Sequence, residues 1–238
     1  MNDLQSLKVK LFADGADLAG MLEMAANTSI SGLTTNPTLM RKAGITNYVE
    51  FAHLVLREIQ KKPISFEVFS DELIEMKNQG EKIASWGENV FVKIPITTTK
   101  GLSTESVVSY LVSLGIKVNV TAVMTVDQVK HIADFLDPCI PSYISVFAGR
   151  IADTGVDPVP LVSECLQVIK EKPGCQLIWA SPRELLNVFH ANQIGCHIIT
   201  ATNDILRKLN LIGKKLDQYS LETVQMFYSD AQKAGYTI

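Results

Sequence analysis

Cysteine is scarce in this chain: Cys139, Cys165, Cys175 and Cys196 are scattered through 238 residues. No CxxC pair occurs and no histidine stands at a ligand spacing beside them, which argues against a zinc site or a disulfide framework. Reduced, mostly buried thiols in a cytoplasmic protein are the expectation. No apolar run reaches membrane-spanning length, and the N-terminus lacks the charged segment and apolar stretch of a secretory leader. Neither sign of charge prevails. With 22 Lys and Arg against 25 Asp and Glu, the net charge of −3 gives no electrostatic reason to expect nucleic acid. Catalytic signatures are sparse too. No GxSxG stands in the chain, and Gly32-Leu33-Thr34-Thr35-Asn36-Pro37 lacks the glycine-lysine-serine pattern of a P-loop. His53, His131, His190 and His197 share no ligand spacing, so ordinary core or surface roles are expected of them rather than metal ligation.

What remains is an ordinary globular composition, 47% hydrophobic and 20% charged, sufficient for a sizeable core. Short apolar runs alternate with longer amphipathic ones from end to end. The strand candidates are Val9 to Asp14, Gly32 to Asn36, Ile64 to Phe69, Val90 to Ile96, Lys117 to Val123, Tyr143 to Gly149, Gln176 to Ser181 and His197 to Thr202. Helical patterns such as Tyr48 to Gln60, Glu72 to Trp86, Ser103 to Leu114 and Leu161 to Glu171 separate them, with Gly115 ending a helix and Pro182 suited to a first turn. Eight strands with intervening helices suit an α/β fold, a (β/α)8 TIM barrel, with a doubly wound sheet as the alternative. No linker or low-complexity stretch interrupts residues 1–238, so one domain is expected. An extra C-terminal helix over 220–235 carries Leu221, Val224, Phe227, Tyr228 and Ala231 on one face, to close its own barrel or to pack on another subunit.

One charged residue breaks an apolar strand: Lys93 in Val90-Phe91-Val92-Lys93-Ile94-Pro95-Ile96. Lysine is almost never fully buried without a partner, and desolvation favours its neutral, nucleophilic form. A neutral amine attacks carbonyl carbon, so the position suggests Schiff-base chemistry. A strand-edge lysine with its stem on the core and its head in water is the plainer alternative. Strand alternation tips the balance. If Val90, Val92, Ile94 and Ile96 meet helices, Lys93 points inward. The same test turns Asp14, Ser65 and Glu67, Asn119 and Thr121, and Ser145 inward, against Leu11, Ile64 and Phe66, Val118 and Val120, and Ile144 and Val146. On the seventh strand it sets Ile178 and Ala180 toward helices and Trp179 and Ser181 inward. A purely structural barrel interior is filled by branched apolar side chains. Convergent buried polar groups call for one another, water or a ligand, so an active site is the better reading. Arg150 and Arg183 fall where strands become loops, well placed for a phosphate, although ordinary surface ion pairs would also account for them.

Six segments together resemble the transaldolase family, which also contains the fructose-6-phosphate aldolases. They are Leu11-Phe12-Ala13-Asp14, Gly32 to Pro37 as written above, Val92-Lys93-Ile94-Pro95, Asn119-Val120-Thr121, Phe147-Ala148-Gly149-Arg150 and Ala180-Ser181-Pro182-Arg183. They run in family order over nearly the whole chain, whose length resembles the short subfamily. The resemblance implies a metal-independent, cofactor-free transaldolase of the pentose phosphate pathway. It implies Lys93 as the Schiff-base lysine, Asp14 as the acid/base for a sugar hydroxyl, and Glu67 and Thr121 as holders of a catalytic water. Asn36 and Asn119 would contact substrate hydroxyls or the Schiff base, Thr34 and Ser145 would line the pocket, and Arg150, Ser181 and Arg183 would bind phosphate. Phe147 and Glu67 stand where the aldolases typically carry tyrosine and glutamine, which favours transfer of a dihydroxyacetone unit over its release. An aldolase that releases the unit, and a noncatalytic sugar-phosphate-binding barrel, are the alternatives. Phosphorylated sugars are the implied partners, with homo-oligomers common among small relatives and no nucleic acid or membrane. Gly15, Pro182 and the long loop Thr97-Thr98-Thr99-Lys100 depart from the family pattern.

Overall fold

A computed structural model describes residues 6–238; the N-terminal leader expectation and the start of the expected 1–238 domain fall partly on residues 1–5, outside the described residues. Strands β1 (Lys10–Asp14), β2 (Ile30–Thr34), β3 (Ile64–Glu67), β4 (Val90–Pro95), β5 (Val118–Val123), β6 (Ser142–Val146), β7 (Cys175–Trp179) and β8 (Ile198–Thr202) hydrogen-bond in chain order. All pair in parallel, and β8 returns to β1 through five register pairs from Lys10–Ile198 to Asp14–Thr202. The sheet is therefore closed, a (β/α)8 barrel rather than an open doubly wound sheet.

The helices are α1 (Leu18–Ala26), α2 (Pro37–Lys42), α3 (Tyr48–Glu58), α4 (Leu73–Ala84), α5 (Glu105–Ser113), α6 (Val126–Ala133), α7 (Ala148–Asp153), α8 (Pro158–Val168), α9 (Leu186–Gln193), α10 (Asn203–Arg207) and α11 (Leu216–Ala234). Local chemistry sets many of their ends. Asp17, Asn36 and Asn47 cap α1, α2 and α3 through their side-chain oxygens. Thr125 and Gln128 form a reciprocal capping box on α6. Gly115, at φ +75°, ends α5 by donating to the Val112 carbonyl while Ile116 donates to Leu111, the two bonds of a Schellman motif. Pro182 differs from expectation: it lies in the loop before α9, which starts only at Leu186.

The main core lies between strands and helices, where Ile64, Val92, Ile94, Val118, Val120, Ile144 and Leu177 have no exposed surface. A smaller apolar cluster of Phe12, Phe91, Tyr143, Ile178, Ala180 and Ile198 fills the inside of the barrel. Phe91 stacks on Tyr143 with centroids 4.1 Å apart, and Phe12 meets Tyr143 edge-on. Phe12, Phe91, Tyr143 and Ile198 each precede by two residues an inward polar residue: Asp14, Lys93, Ser145 and Thr200. In parallel strands this makes an apolar floor under a polar upper layer.

The alternation expected for β7 is reversed. Trp179 packs outward in the helix-facing core, while Ile178 and Ala180 belong to the inner cluster. The strand ends at Trp179, and Ser181 takes a left-handed backbone with φ +59°, so its position cannot be counted back along a regular strand. The expected ends of four other strands also shorten: β3 stops at Glu67 rather than Phe69 and β4 at Pro95 rather than Ile96, Asn36 is the cap of α2, and Phe147 to Gly149 begin α7. The C-terminal helix starts earlier than expected, at Leu216, and no residue of α11 is buried. It does not close this barrel. No helix among the described residues is long and apolar enough to cross a membrane.

Candidate active site

A cavity of about 480 Å³ opens at the C-terminal ends of the strands, the face on which barrel enzymes carry their sites. Its wall includes Asp14, Thr34, Asn36, Glu67, Lys93, Thr121, Ser145, Phe147, Arg150, Ser181 and Arg183. Of the residues given a catalytic or substrate-binding role from the sequence, Asn119 alone does not line it. That side chain is fully buried beneath, donating to Ser65 Oγ at 3.0 Å and accepting from Ser145 Oγ at 2.8 Å. The pair of bonds fixes Ser145 at the cavity wall.

Lys93 is 5% exposed, so its head does not reach water along the strand edge. Nor is it solitary. Nζ lies 3.1 Å from Glu67 Oε2 and donates to the Thr35 carbonyl at 3.0 Å. Register explains both contacts: Glu67 on β3 stands beside Lys93 on β4, and β2 leaves the sheet after Thr34, freeing the next carbonyl. Thr121 lies on β5, two register positions beyond the Lys93–Asn119 pair and so on the same face as Asn119. Its hydroxyl is buried and has no hydrogen-bond partner. A buried unsatisfied hydroxyl on a cavity wall is a place for water or a substrate oxygen.

Asp14 closes the other side. Thr34 Oγ1 donates to Asp14 Oδ1 at 2.8 Å, and Asn36 Nδ2 approaches Oδ2 at 3.5 Å. Thr34 and Thr200 hydroxyls are 2.6 Å apart. Since Thr34 has one hydroxyl proton and gives it to Asp14, Thr200 is the donor in that pair. Burial pushes the Asp14 carboxyl above the usual carboxylate range, outweighing the opposing pull of Lys93 and of the Thr34 hydrogen bond. Such a carboxylate is a better proton acceptor than an exposed aspartate.

At the mouth, Arg183 is held by Asp153 of α7: Nε donates to Oδ1 at 2.8 Å and Nη2 to Oδ2, while Nη1 reaches Ser181 Oγ at 3.2 Å. The guanidinium holds the Asp153 carboxyl below its ordinary range. Arg150, one turn into α7, lies over the Phe147 ring at 5.9 Å. Gly149 is required where these two arms meet, because a β-carbon there would fall 1.6 Å from the Ser181 carbonyl oxygen. Two cavity residues, Ala122 at φ +61° and Ser181 at φ +59°, hold left-handed conformations. Such strain is stored preferentially at functional sites. The long loop after Lys93 is firmly tied: Thr99 donates through N and Oγ1 to Asp71 at 2.6 Å each, and Thr104 Oγ1 donates to the Pro95 carbonyl at 2.6 Å.

Sequence reasoning missed Thr38, Lys42, Ala122, Thr200 and Thr202 on the cavity wall. Thr200 and Thr202 alternate with Ile199 and Ala201, so the parity test applied to β8 would have found them. Among the described residues no three His, Cys, Asp or Glu side chains gather into a possible metal cluster.

A closed (β/α)8 barrel with a buried lysine between carboxylates at its C-terminal mouth defines the class of protein. The solved structures agree at the level of fold: a dihydrodipicolinate synthase family protein from Coccidioides immitis aligns with TM-score 0.60 at 12% identity, covering 96% of this chain and 78% of its own. The sequence goes further. Residues 11–238 match the transaldolase/fructose-6-phosphate aldolase family, and the chain belongs to it. A "probable transaldolase" from Thermoanaerobacter sp. (strain X514) is 31% identical over 231 residues, covering 97% of this chain and 100% of the relative. Another from Streptococcus equi subsp. zooepidemicus (strain MGCS10565) is 35% identical over 203 residues, covering 84% and 90% respectively.

Proposed function

We propose that this chain is a transaldolase, moving a dihydroxyacetone unit from a ketose phosphate to an aldose phosphate through a Schiff base on Lys93. The observation that carries this reading is Nζ of a buried lysine 3.1 Å from Glu67 and facing a cavity whose other wall holds Asp14. Glu67 is placed to take a proton from the ammonium, and the free amine then attacks the ketone carbon. A water held between Glu67 and the unpaired Thr121 hydroxyl relays protons as the carbinolamine loses water to give the iminium. Asp14 accepts the proton of the hydroxyl two carbons from the iminium carbon. The carbon–carbon bond breaks, its electron pair enters the enamine, and the aldose phosphate leaves. An acceptor aldehyde then reverses these steps, and water frees the new ketose. Arg150, Ser181 and Arg183 hold phosphate, with Thr34, Asn36 and Ser145 around the sugar and Asn119 supporting Ser145 from below.

Phe147 supports transfer over release, because a phenyl ring beside the enamine cannot donate a proton to it. The reaction needs neither metal nor cofactor. We place the enzyme in the cytoplasm, in pentose phosphate metabolism, with residues 1–238 acting as one domain. Copies assemble into a homo-oligomer through α11, on which Leu221, Val224, Phe227 and Tyr228 are each at least 57% exposed. Sedimentation of the full chain checks this assembly; a monomer at micromolar concentration refutes it.

Borohydride trapping tests the chemistry. A ketose phosphate plus borohydride should fix the three-carbon unit on Lys93, and Lys93→Ala should take no label. Donor–acceptor exchange then separates the activities: label must pass to the acceptor aldose without free dihydroxyacetone. Release of dihydroxyacetone in place of exchange would make the chain an aldolase, and ligand binding without an adduct would make it a noncatalytic sugar-phosphate protein.

A further inference from the structure

In a parallel ladder the backbone groups of alternate residues face one neighbour. On the edge between β2 and β3, Leu33 donates to the Pro63 carbonyl at 2.8 Å and Thr35 to the Ser65 carbonyl at 3.2 Å. The next bond in this series would run from Glu67 N–H to the Thr35 carbonyl. It is not made. The chain turns into α2, and the Thr35 carbonyl accepts from Lys93 Nζ at 3.0 Å. Freeing that carbonyl for the lysine leaves both the N–H and the C=O of Glu67 without a strand partner.

One atom takes both. The Tyr48 hydroxyl accepts from Glu67 N at 2.8 Å and donates to Glu67 O at 2.8 Å. The two groups of one strand residue point to the same side, so a single hydroxyl with one proton and free lone pairs can serve them together. Tyr48 stands in the first turn of α3, behind the Asn47 cap. Its ring meets Phe66, Phe69 and Trp86 at centroid distances of 6.4, 5.5 and 5.8 Å. Those contacts leave the phenol little freedom, and burial pushes its pKa upward, keeping it protonated as a donor.

We propose that Tyr48, which does not line the cavity, is a positioning residue for the reaction: its hydroxyl replaces the missing strand neighbour and holds the Glu67 carboxylate at the Schiff-base lysine. This inference rests on the reading of Lys93 and Glu67 above. It deepens that reading by naming what keeps the proton acceptor in place once β2 has left the sheet.

Tyr48→Phe removes one oxygen and keeps the ring contacts. In the full chain, kcat should fall about tenfold, the scale of a sub-ångström misplacement of a reacting group. KM for the ketose phosphate should stay within about twofold, because the phosphate arm lies on α7 and the β7 loop. In a Glu67→Gln background the same substitution should change kcat less than about twofold, since Tyr48 then has no carboxylate to position. An equal loss in both backgrounds, or no loss in either, overturns the inference. A purely structural role would lower melting temperature and activity alike regardless of residue 67. If Tyr48→Phe does not fold, hydrogen exchange on the unmodified protein decides. The Glu67 amide should be protected as strongly as amides within β3, and exchange at the rate of an exposed loop amide overturns the claim. Failure of the underlying reading is separately visible, as unmodified protein that forms no borohydride-trapped adduct.

Discussion

Gly149 joins the two halves of the proposed phosphate site, and enlarging it by one carbon is a stringent test of the geometry. In Gly149→Ala the new β-carbon would lie 1.6 Å from the Ser181 carbonyl oxygen and 2.7 Å from its carbon. Nonbonded heavy atoms settle at about 3.5 Å, so α7 and the β7 loop must part by roughly 2 Å. Overpacking usually costs about 1–3 kcal/mol, and a clash with backbone belongs at the upper end of that range. For a chain of this size about 3 kcal/mol lowers the melting temperature by roughly 6–12 °C, measurable by circular dichroism. The kinetic effect should exceed the structural one. Moving Arg150 against Ser181 and Arg183 by more than an ångström should reduce kcat/KM for a phosphorylated ketose about 100-fold. An unphosphorylated three-carbon ketone, which does not use this arm, should suffer far less. Gly15→Ala is the control, since its β-carbon would meet only Met21 Cγ at 3.9 Å, and its stability should change by less than about 0.5 kcal/mol. Native melting temperature and native kcat/KM in Gly149→Ala would refute the assignment of these loops to one anion site.

Three further outcomes are expected. Because the Asp14 pKa is raised on folding, this carboxyl favours the folded state below its unfolded pKa, and that contribution is lost as pH rises through the folded value; Asp14→Asn should therefore raise thermal stability at neutral pH while abolishing exchange, with the stability gain vanishing in acid. Thr34→Val removes a hydrogen bond to the charged form of Asp14, so the acid limb of the kcat profile, where activity falls as Asp14 protonates, should move to higher pH; an unmoved limb counts against Asp14 as the base. Phe147→Tyr should increase free dihydroxyacetone relative to transferred product, and an unchanged partition would remove Phe147 from the choice between the two reactions.

The barrel was legible in the chain because parallel strands covered by helices are written as apolar runs, and alternation within them exposed the inward Asp14, Glu67, Lys93 and Thr121. The method failed where a strand stopped. Counting back from Ser181 put Trp179 inside, but the left-handed turn at Ser181 severs the two parities, and the outer core takes the indole instead. The helix end at Gly115 was readable, whereas Pro182 misled because a first-turn proline serves a loop equally well. The cavity position of Thr200 was available from the same alternation. Tyr48 could not have been found that way: its contact with Glu67 spans 19 positions and exists only because β2 departs early, a fact of register that composition does not carry. Residues such as Asn119 were recognisable as polar and inward, but only packing separates a side chain at the surface of a cavity from one that braces it.

The aromatic floor made by Phe12, Phe91 and Tyr143 has a kinetic corollary. A cylinder sealed at its base offers one doorway, so departing and arriving sugars share a single passage. In the reaction proposed, the first aldose must vacate before its successor docks, and double-reciprocal plots at several acceptor concentrations should run parallel rather than converge.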